Sequence, residues 1–308
     1  MKTITIIIPA FNEADNIRPV YDEIQNAFFS FASYNWEVLF VNDGSTDKTL
    51  EVLESLAKEH ANLKYISFSR NFGKDNALKS GIDNTNADII ITMDADLQHP
   101  PSLIPKLISK YEEGYNVVYA HRKGNNPHVS FFSKLFSKLF WKLLNMFSGL
   151  KLEDGISDFR LLDKKVINVL KSLNESELFF RGMVKWVGFK QIGIEYIPNE
   201  RLSGVTNYSK SQLLKLAVYS ITSFSTKPLY SAIYIGFVFS GLSILYIPYI
   251  IYSIIHHLEV PGWSSIIMTI VFFGGLQLIM LGVIGIYIGK LFMQAKERPN
   301  YIIDCKNF

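Results

Sequence analysis

The sequence predicts an α/β fold, a mainly parallel sheet with helices on both faces, followed by a C-terminal two-helix transmembrane hairpin. Strand-like apolar runs alternate with helical patterns over roughly the first 200 residues, which is typical of a parallel sheet with right-handed crossovers. Residues 229–255 and 263–289 contain no Asp, Glu, Lys or Arg, and each stretch exceeds the ~20 residues needed to span a bilayer. These observations define the predicted architecture.

The predicted elements follow one another in a regular order. Strands are expected at 3–8, 36–41, 63–68, 87–93, 116–120 and 189–197, and helices at 16–29, up to residue 60, at 74–83 and at 102–113. We therefore divide the chain into an α/β domain (1–205), a juxtamembrane segment (206–228), two transmembrane helices (229–293) and a cytoplasmic tail (294–308).

Composition excludes several classes of protein. The chain has 308 residues, a net charge of +3 and a single cysteine, Cys305. A charge this close to neutral gives no sign of nucleic-acid binding, and one cysteine excludes a disulfide framework or a thiolate metal cluster. The first nine residues are strand-like and too short for a signal peptide, so we expect the α/β domain to be cytoplasmic.

Asp94, Asp96 and Gln98 follow the fourth predicted strand. Ligands of open α/β sheets bind at this edge, and Mg²⁺ takes one or two carboxylates together with substrate phosphates. We therefore predict that these residues hold Mg²⁺ or Mn²⁺ against a diphosphate. Taken alone, an Asp-X-Asp turn also serves as a helix cap, and the acidic residues at other strand ends favour the metal.

Glu13 and Asp43 follow the first and second predicted strands. The chain has neither the glycine-rich dinucleotide motif after its first strand nor a P-loop lysine motif, so those nucleotide sites are disfavoured. An acidic pocket needs a cation before it accepts a nucleotide diphosphate. Asp43 could bond a ribose or a base edge, or it could only form an Asx-turn.

Two basic segments are candidates for contact with a membrane or with phosphates. A helix near 129–149 carries Lys134, Lys138 and Lys142 on one face, which indicates an interfacial amphipathic helix or a core helix with snorkelling lysines. Arg201 and Lys210 lie on either side of a glycine, where they could close over phosphates or belong to a solvated basic loop.

Charge around the two apolar stretches predicts their orientation. Lysines precede the first stretch and basic residues follow the second, whereas the connection at 256–262 has no Lys or Arg. The positive-inside rule therefore places both termini in the cytoplasm and the connection outside.

Several motifs together resemble the family 2 glycosyltransferases of GT-A fold. Within that family the chain is similar to the polyprenyl-phosphate glycosyltransferases, which include dolichol-phosphate mannose synthases and the bacterial bactoprenol glucosyltransferase type. The resemblance covers essentially the whole chain. The matching stretches are 9–13, 42–47, 69–75, 94–101, 157–160, 181–183, 200–210 and 296–301. Phe11 stands where the family commonly has tyrosine, which removes a hydroxyl and leaves the stacking surface.

The resemblance implies a role for each candidate site residue. A nucleoside pocket would be lined by Pro9, Phe11, Glu13 and Asp43; the metal and diphosphate would be held by Asp94, Asp96 and Gln98; and phosphates would be bound by Arg122, Arg201 and Lys210. Asp158 would face the reacting centre, as a base or as an orienting group.

The reaction implied is inverting transfer of one sugar from a nucleotide diphosphate, with UDP-glucose or another UDP-hexose favoured, to undecaprenyl phosphate for cell-envelope glycosylation. These residues do not distinguish a uridine donor from a guanosine donor. A glycolipid flippase is an expected later partner by analogy, and we expect a homo-oligomer. The alternatives are a processive polysaccharide synthase, whose Gln-X-X-Arg-Trp motif is missing, and a non-catalytic nucleotide-sugar-binding scaffold.

Overall fold

The computed structural model describes residues 1–29, 33–122, 145–146, 149, 155–176, 178–197, 221–256 and 262–308. Eight strands in these residues form one sheet: β1 (Lys2–Ala10), β2 (Tyr34–Asn42), β3 (Leu63–Phe68), β4 (Ile89–Thr92), β5 (Val117–Arg122), β6 (Ile156–Asp163), β7 (Gln191–Tyr196) and β8 (Ile303–Lys306). Their order across the sheet is β7-β5-β6-β4-β1-β2-β3-β8. Only β6 and β8 run antiparallel to their neighbours, so the prediction of a mainly parallel sheet is confirmed.

Eight α-helices accompany the sheet in the described residues: α1 (Ala14–Phe28), α2 (Thr49–Glu59), α3 (Lys74–Asp83), α4 (Ile104–Glu112), α5 (Lys164–Ser172), α6 (Phe180–Trp186), α7 (Lys227–Ile255) and α8 (Trp263–Ala295). A 3₁₀ turn at Pro101–Leu103 leads into α4. The first four helices lie within a few residues of their predicted positions.

The hydrophobic core has one layer on each face of the sheet. Ile4, Ile6 and Ile8 of β1 are fully buried against apolar side chains of α1, α2 and α4. Ile7 faces the other way and shares its layer with α3, α5 and α6. Because β1 is buried on both faces, it reads as a continuous apolar run rather than an alternating one. Helices on both faces are thereby confirmed.

Two strands correct the sequence analysis. Residues 156–163 received no strand assignment, yet β6 lies between β4 and β5 in the middle of the sheet. Residues 303–306, within the predicted tail, received no strand assignment either, yet β8 pairs with β3 at the sheet edge. β6 carries the charged residues Asp158 and Arg160 in its interior. β8 has only four residues, which alternate between half-buried and exposed. Neither strand therefore shows the apolar run by which the other strands were predicted.

The two C-terminal helices run antiparallel and contact each other. Phe239 packs on Phe272 with ring centroids 5.8 Å apart, and the Tyr287 hydroxyl donates to the Ser225 carbonyl at 2.6 Å. Within the described residues, one helical stretch, Met268–Ala295, has the length and apolarity of a membrane span. The transmembrane hairpin itself stays a prediction. The proposed interfacial helix lies outside the described residues except at 145, 146 and 149.

Candidate active site

The candidate site lies at the edge of the sheet where β1, β2 and β4 end. β6 brings Asp158 to this edge, because Arg160 pairs with Thr92 in the β4–β6 ladder. The Thr92 hydroxyl donates to the Asp158 carbonyl at 2.5 Å and fixes the two strands together at that point. A carboxylate from β6 therefore lies close to those that follow β4.

Asp158 is a buried carboxylate surrounded by cations. Its Oδ2 lies 2.7 Å from Lys74 Nζ, and its two oxygens accept from Arg181 Nε at 2.7 Å and Arg181 Nη2 at 2.8 Å. Arg160, equally buried, lies 3.9 Å away. Burial alone would raise the pKa of Asp158, but Lys74 and Arg181 outweigh it and hold the pKa well below its usual range. A carboxylate held ionised in this way favours the orienting role over the base.

Lys74 links Asp158 to the predicted metal residues. Its ammonium also lies 2.5 Å from Asp94 Oδ1, so one lysine bridges two carboxylates. Burial lowers the pKa of Lys74, but the two carboxylates raise it by more, so that the net shift is upward and the ammonium stays charged. Lys74 had no predicted role. A lysine at the first position of a helix opposes the helix dipole, and that local misfit was the available signal.

The predicted metal residues fall within one turn after β4. Asp96 is buried and its Oδ1 accepts from the Gln98 backbone N–H at 3.1 Å. Leu97 between them has φ 55°, an uncommon conformation for a residue with a branched side chain. Arg122 Nη2 donates to Gln98 Oε1 at 3.2 Å, so the predicted phosphate ligand Arg122 does reach this turn.

The donor set fits a hard divalent cation better than zinc. Among the described residues no group of three His, Cys, Asp or Glu is placed to hold a metal. Asp94, Asp96 and Gln98 offer two carboxylates and an amide, all oxygen donors. Mg²⁺ and Mn²⁺ accept such a set because substrate phosphates and water complete the coordination.

His99 supports this turn through a hydrogen bond to its backbone. It had no predicted role. Its Nδ1 accepts from the Asp94 backbone N–H at 3.2 Å, and its ring stacks on Phe159 with centroids 5.5 Å apart. Burial lowers the pKa of His99, which keeps the imidazole neutral and able to accept that bond. His99 therefore positions Asp94.

Asp43 holds the loop after β3. Its carboxylate oxygens accept from the backbone N–H groups of Phe72 at 2.7 Å and Gly73 at 2.9 Å. Burial raises the pKa of Asp43, and the two backbone donors only partly offset this. The carboxylate thus fixes the residues immediately before Lys74. Contact with a nucleoside stays a prediction for Asp43.

The loops after β1, β2 and β3 interlock around the predicted nucleoside pocket. Asn12 Oδ1 accepts from the Thr46 backbone N–H at 2.8 Å. Gly44 has φ 64°, and a Cβ there would lie 2.2 Å from the Arg70 carbonyl carbon, so only glycine fits. Phe11 is 44% exposed at this edge, where its ring is accessible for stacking.

The remaining predicted site residues have clear positions or lie outside the described chain. Pro9 is buried near the end of β1, and Glu13 accepts from Asn16 Nδ2 at 2.5 Å. Arg201 and Lys210 lie outside the described residues, so their contact with phosphates stays a prediction.

The family match over residues 5–170, together with the mainly parallel sheet, identifies a GT-A glycosyltransferase domain. The chain belongs to glycosyl transferase family 2, whose sequence model matches residues 5–170.

Two full-length relatives show how far the similarity extends. The chain is 38% identical to the bactoprenol glucosyl transferase of Shigella phage SfX, over 98% of this chain and 99% of that protein. It is also 38% identical to the prophage bactoprenol glucosyl transferase homolog of Escherichia coli K12, over 97% and 98%. Among solved structures, glucosyl-3-phosphoglycerate synthase from Mycobacterium tuberculosis matches with 19% identity and a TM-score of 0.48, over 72% of this chain and 78% of that one.

Proposed function

We propose that the protein transfers a single sugar from a UDP-hexose, UDP-glucose first, to a membrane polyprenyl phosphate such as undecaprenyl phosphate, with inversion at the anomeric carbon. The observation that carries this proposal is the group of cations around Asp158, beside the predicted metal turn. Relatives named as bactoprenol glucosyl transferases, similar over nearly their whole length, support the choice of acceptor.

The donor diphosphate is assigned to the turn after β4. Asp94, Asp96 and Gln98 would hold Mg²⁺ or Mn²⁺, which supplies Lewis-acid neutralisation of charge on the departing diphosphate. Arg122, which is hydrogen-bonded to Gln98, adds a cation beside this turn. Pro9, Phe11, Glu13 and Asp43 are proposed to line the nucleoside pocket.

The acceptor needs orientation more than deprotonation. A phosphate monoester is mostly anionic near neutral pH and attacks without a strong base. Asp158, held ionised by its cations, fixes Lys74 and Arg181 in place, so that these residues are preorganised toward anionic substrates. Arg201 and Lys210 are proposed to contact phosphates as the substrate binds.

A panel of nucleotide sugars tests the proposal and identifies the donor. Membranes containing the protein receive undecaprenyl phosphate and labelled UDP- or GDP-sugars in turn. We expect one UDP-hexose to give a lipid product that is labile to mild acid. A product that grows into a polymer would support the synthase alternative, and nucleotide binding without any transfer would support the scaffold.

A further inference from the structure

Among the described residues, Arg181 pairs through one edge of its guanidinium, with Asp158. Nε and Nη2 donate to the two oxygens of Asp158 at 2.7 and 2.8 Å, which is the side-on bidentate pairing. An arginine carries five N–H donors, so three remain, two on Nη1 and one on Nη2. Nη1 has no hydrogen-bond partner in the part of the chain that the structure describes. As far as the described residues go, the end-on edge of Arg181 is therefore available for a second bidentate acceptor.

The protein holds Arg181 in place but leaves its side chain accessible. The side chain is 43% exposed, whereas that of Asp158 is 4% exposed. Burial lowers the pKa of Arg181, but Asp158 raises it by more, so the guanidinium stays charged. The backbone N–H of the preceding residue, Phe180, donates to Asp75, which fixes the start of α6. A cation that is preorganised and open to solvent suits an incoming anion.

The same helix contacts the segment that leads into the C-terminal helices. The Phe179 ring lies 6.0 Å from that of Phe224, and a Cβ on Gly182 would lie 2.6 Å from the Phe224 ring. Phe224 stands between Ser223, which accepts from Lys290 Nζ at 2.8 Å, and Ser225, which accepts from Tyr287. Arg181 is thus placed between the buried Asp158 and the apolar helices.

We propose that Arg181 binds the phosphate of the lipid acceptor through its Nη1/Nη2 edge while Asp158 holds its Nε/Nη2 edge. The inference rests on the proposed function, since it names the residue that receives that acceptor. A planar guanidinium matches two phosphate oxygens at once, which an ammonium cannot do. The phosphate of a lipid whose chain lies beside α7 and α8 would meet Arg181 at the junction of the two regions.

Steady-state kinetics of the full-length protein in detergent test this role. With UDP-glucose, or the UDP-hexose that the panel selects, the acceptor KM for undecaprenyl phosphate is compared with the Kd of UDP. We expect Arg181→Gln to raise the acceptor KM at least tenfold and to leave the UDP Kd within twofold. Arg181→Lys keeps the positive charge but lacks the planar bidentate donor pair, and it should give a smaller rise in the acceptor KM. The matched control is Lys185→Gln, one turn later on α6, which should leave the acceptor KM unchanged.

The outcomes separate this inference from the proposed function. If the wild-type protein makes no glycolipid, the proposed function fails. If the wild-type protein is active and Arg181→Gln leaves the acceptor KM unchanged, or weakens UDP binding by the same factor, Arg181 does not bind the acceptor. Should Arg181→Gln fail to bind UDP because it does not fold, the acceptor KM of Arg181→Lys decides.

Discussion

Asp158 pairs with cations from two different helices, Lys74 on α3 and Arg181 on α6. Because Asp158 is buried, the loss of either cation would leave its charge less fully compensated. The cluster as a whole is balanced before any substrate binds. Its cations are Lys74, Arg160 and Arg181, and its carboxylates are Asp75, Asp94 and Asp158. The geometry of the cations, rather than an excess of charge, therefore prepares the site for anions.

Asp158→Asn distinguishes an orienting group from a base. Because the pKa of Asp158 is held well below its usual range, the group does not titrate in the neutral region. We expect the variant to lose about 100-fold in rate through misplaced cations, with the shape of its pH–rate profile unchanged between pH 6 and 8. A profile that loses its acid limb in the variant would show that Asp158 acts as a base.

The metal turn is tested by Asp96→Asn and by chelation. Loss of Lewis-acid stabilisation worth several kcal/mol predicts a fall of about 100-fold or more in transfer rate. Asp22→Asn, on the exposed face of α1, is the matched control and should retain activity. Excess EDTA should abolish transfer, and Mg²⁺ or Mn²⁺ should restore it. Full turnover in EDTA would contradict the metal site.

Asp75 gives the fold a pH dependence of known sign. Burial and the neighbouring Asp158 raise its pKa to about 6 from 3.8, against the opposing charges of Lys74 and Arg181. A raised carboxyl pKa stabilises the fold below pH 3.8, and this contribution is lost as pH rises through about 6. We therefore expect Asp75→Asn, which cannot ionise, to gain about 2–3 kcal/mol relative to the wild type between pH 4 and pH 7.5. Thermal unfolding of both proteins at the two pH values measures this gain, and an equal difference at both would contradict it.

At the scale of elements, local pattern predicted the strands and helices that carry an apolar signal. β1 to β5 and α1 to α4 were placed correctly because buried strands and amphipathic helices have clear periodicities. β8 has only four residues and gains its order from pairing with β3, which no local pattern reveals. Within the candidate site, too, local motifs were predictable and tertiary contacts were not. The Asp94 turn was found from its motif, whereas the bridging role of Lys74 depends on a contact with β6.

The C-terminal segment is packed on the sheet by Tyr301. Its ring stacks on Phe68 with centroids 5.3 Å apart and planes at 12°, and its hydroxyl donates to Asp83 Oδ2 at 3.1 Å. We expect Tyr301→Ala to destabilise the protein by about 2–3 kcal/mol, since an aromatic ring and its bond are lost. Ile302→Ala, whose side chain is 51% exposed, should change stability by less than about 0.5 kcal/mol. Equal shifts in Tm for both variants would show that the Tyr301 contacts add nothing.

In the whole molecule, β8 attaches the C-terminal segment to the sheet of the α/β domain. α8 ends at Ala295, and β8 then pairs with β3 of the α/β domain. The segment before α7 contacts α6 of the same domain through Phe224. Both ends of the antiparallel helix pair therefore lie on the side of the α/β domain. The orientation of this helix pair in a membrane stays a prediction from the positive-inside rule.

Cysteine labelling of intact cells tests that topology. Cys305 lies in β8 and should not react with a membrane-impermeant maleimide until the cells are permeabilised. Gly262→Cys in a Cys305→Ser background should react from outside, since residue 262 precedes α8 at the far end of the pair. Labelling of Cys305 in intact cells would refute the proposed hairpin.

Mass spectrometry of the lipid formed by the purified protein is the decisive test of single-sugar transfer. Undecaprenyl phosphate and the selected UDP-hexose are incubated with the full-length chain and a divalent metal. We expect a lipid that gains one hexose and no more, at a rate that depends on both substrates. A ladder of hexoses on the lipid, or an unmodified lipid in the presence of bound nucleotide, would contradict it.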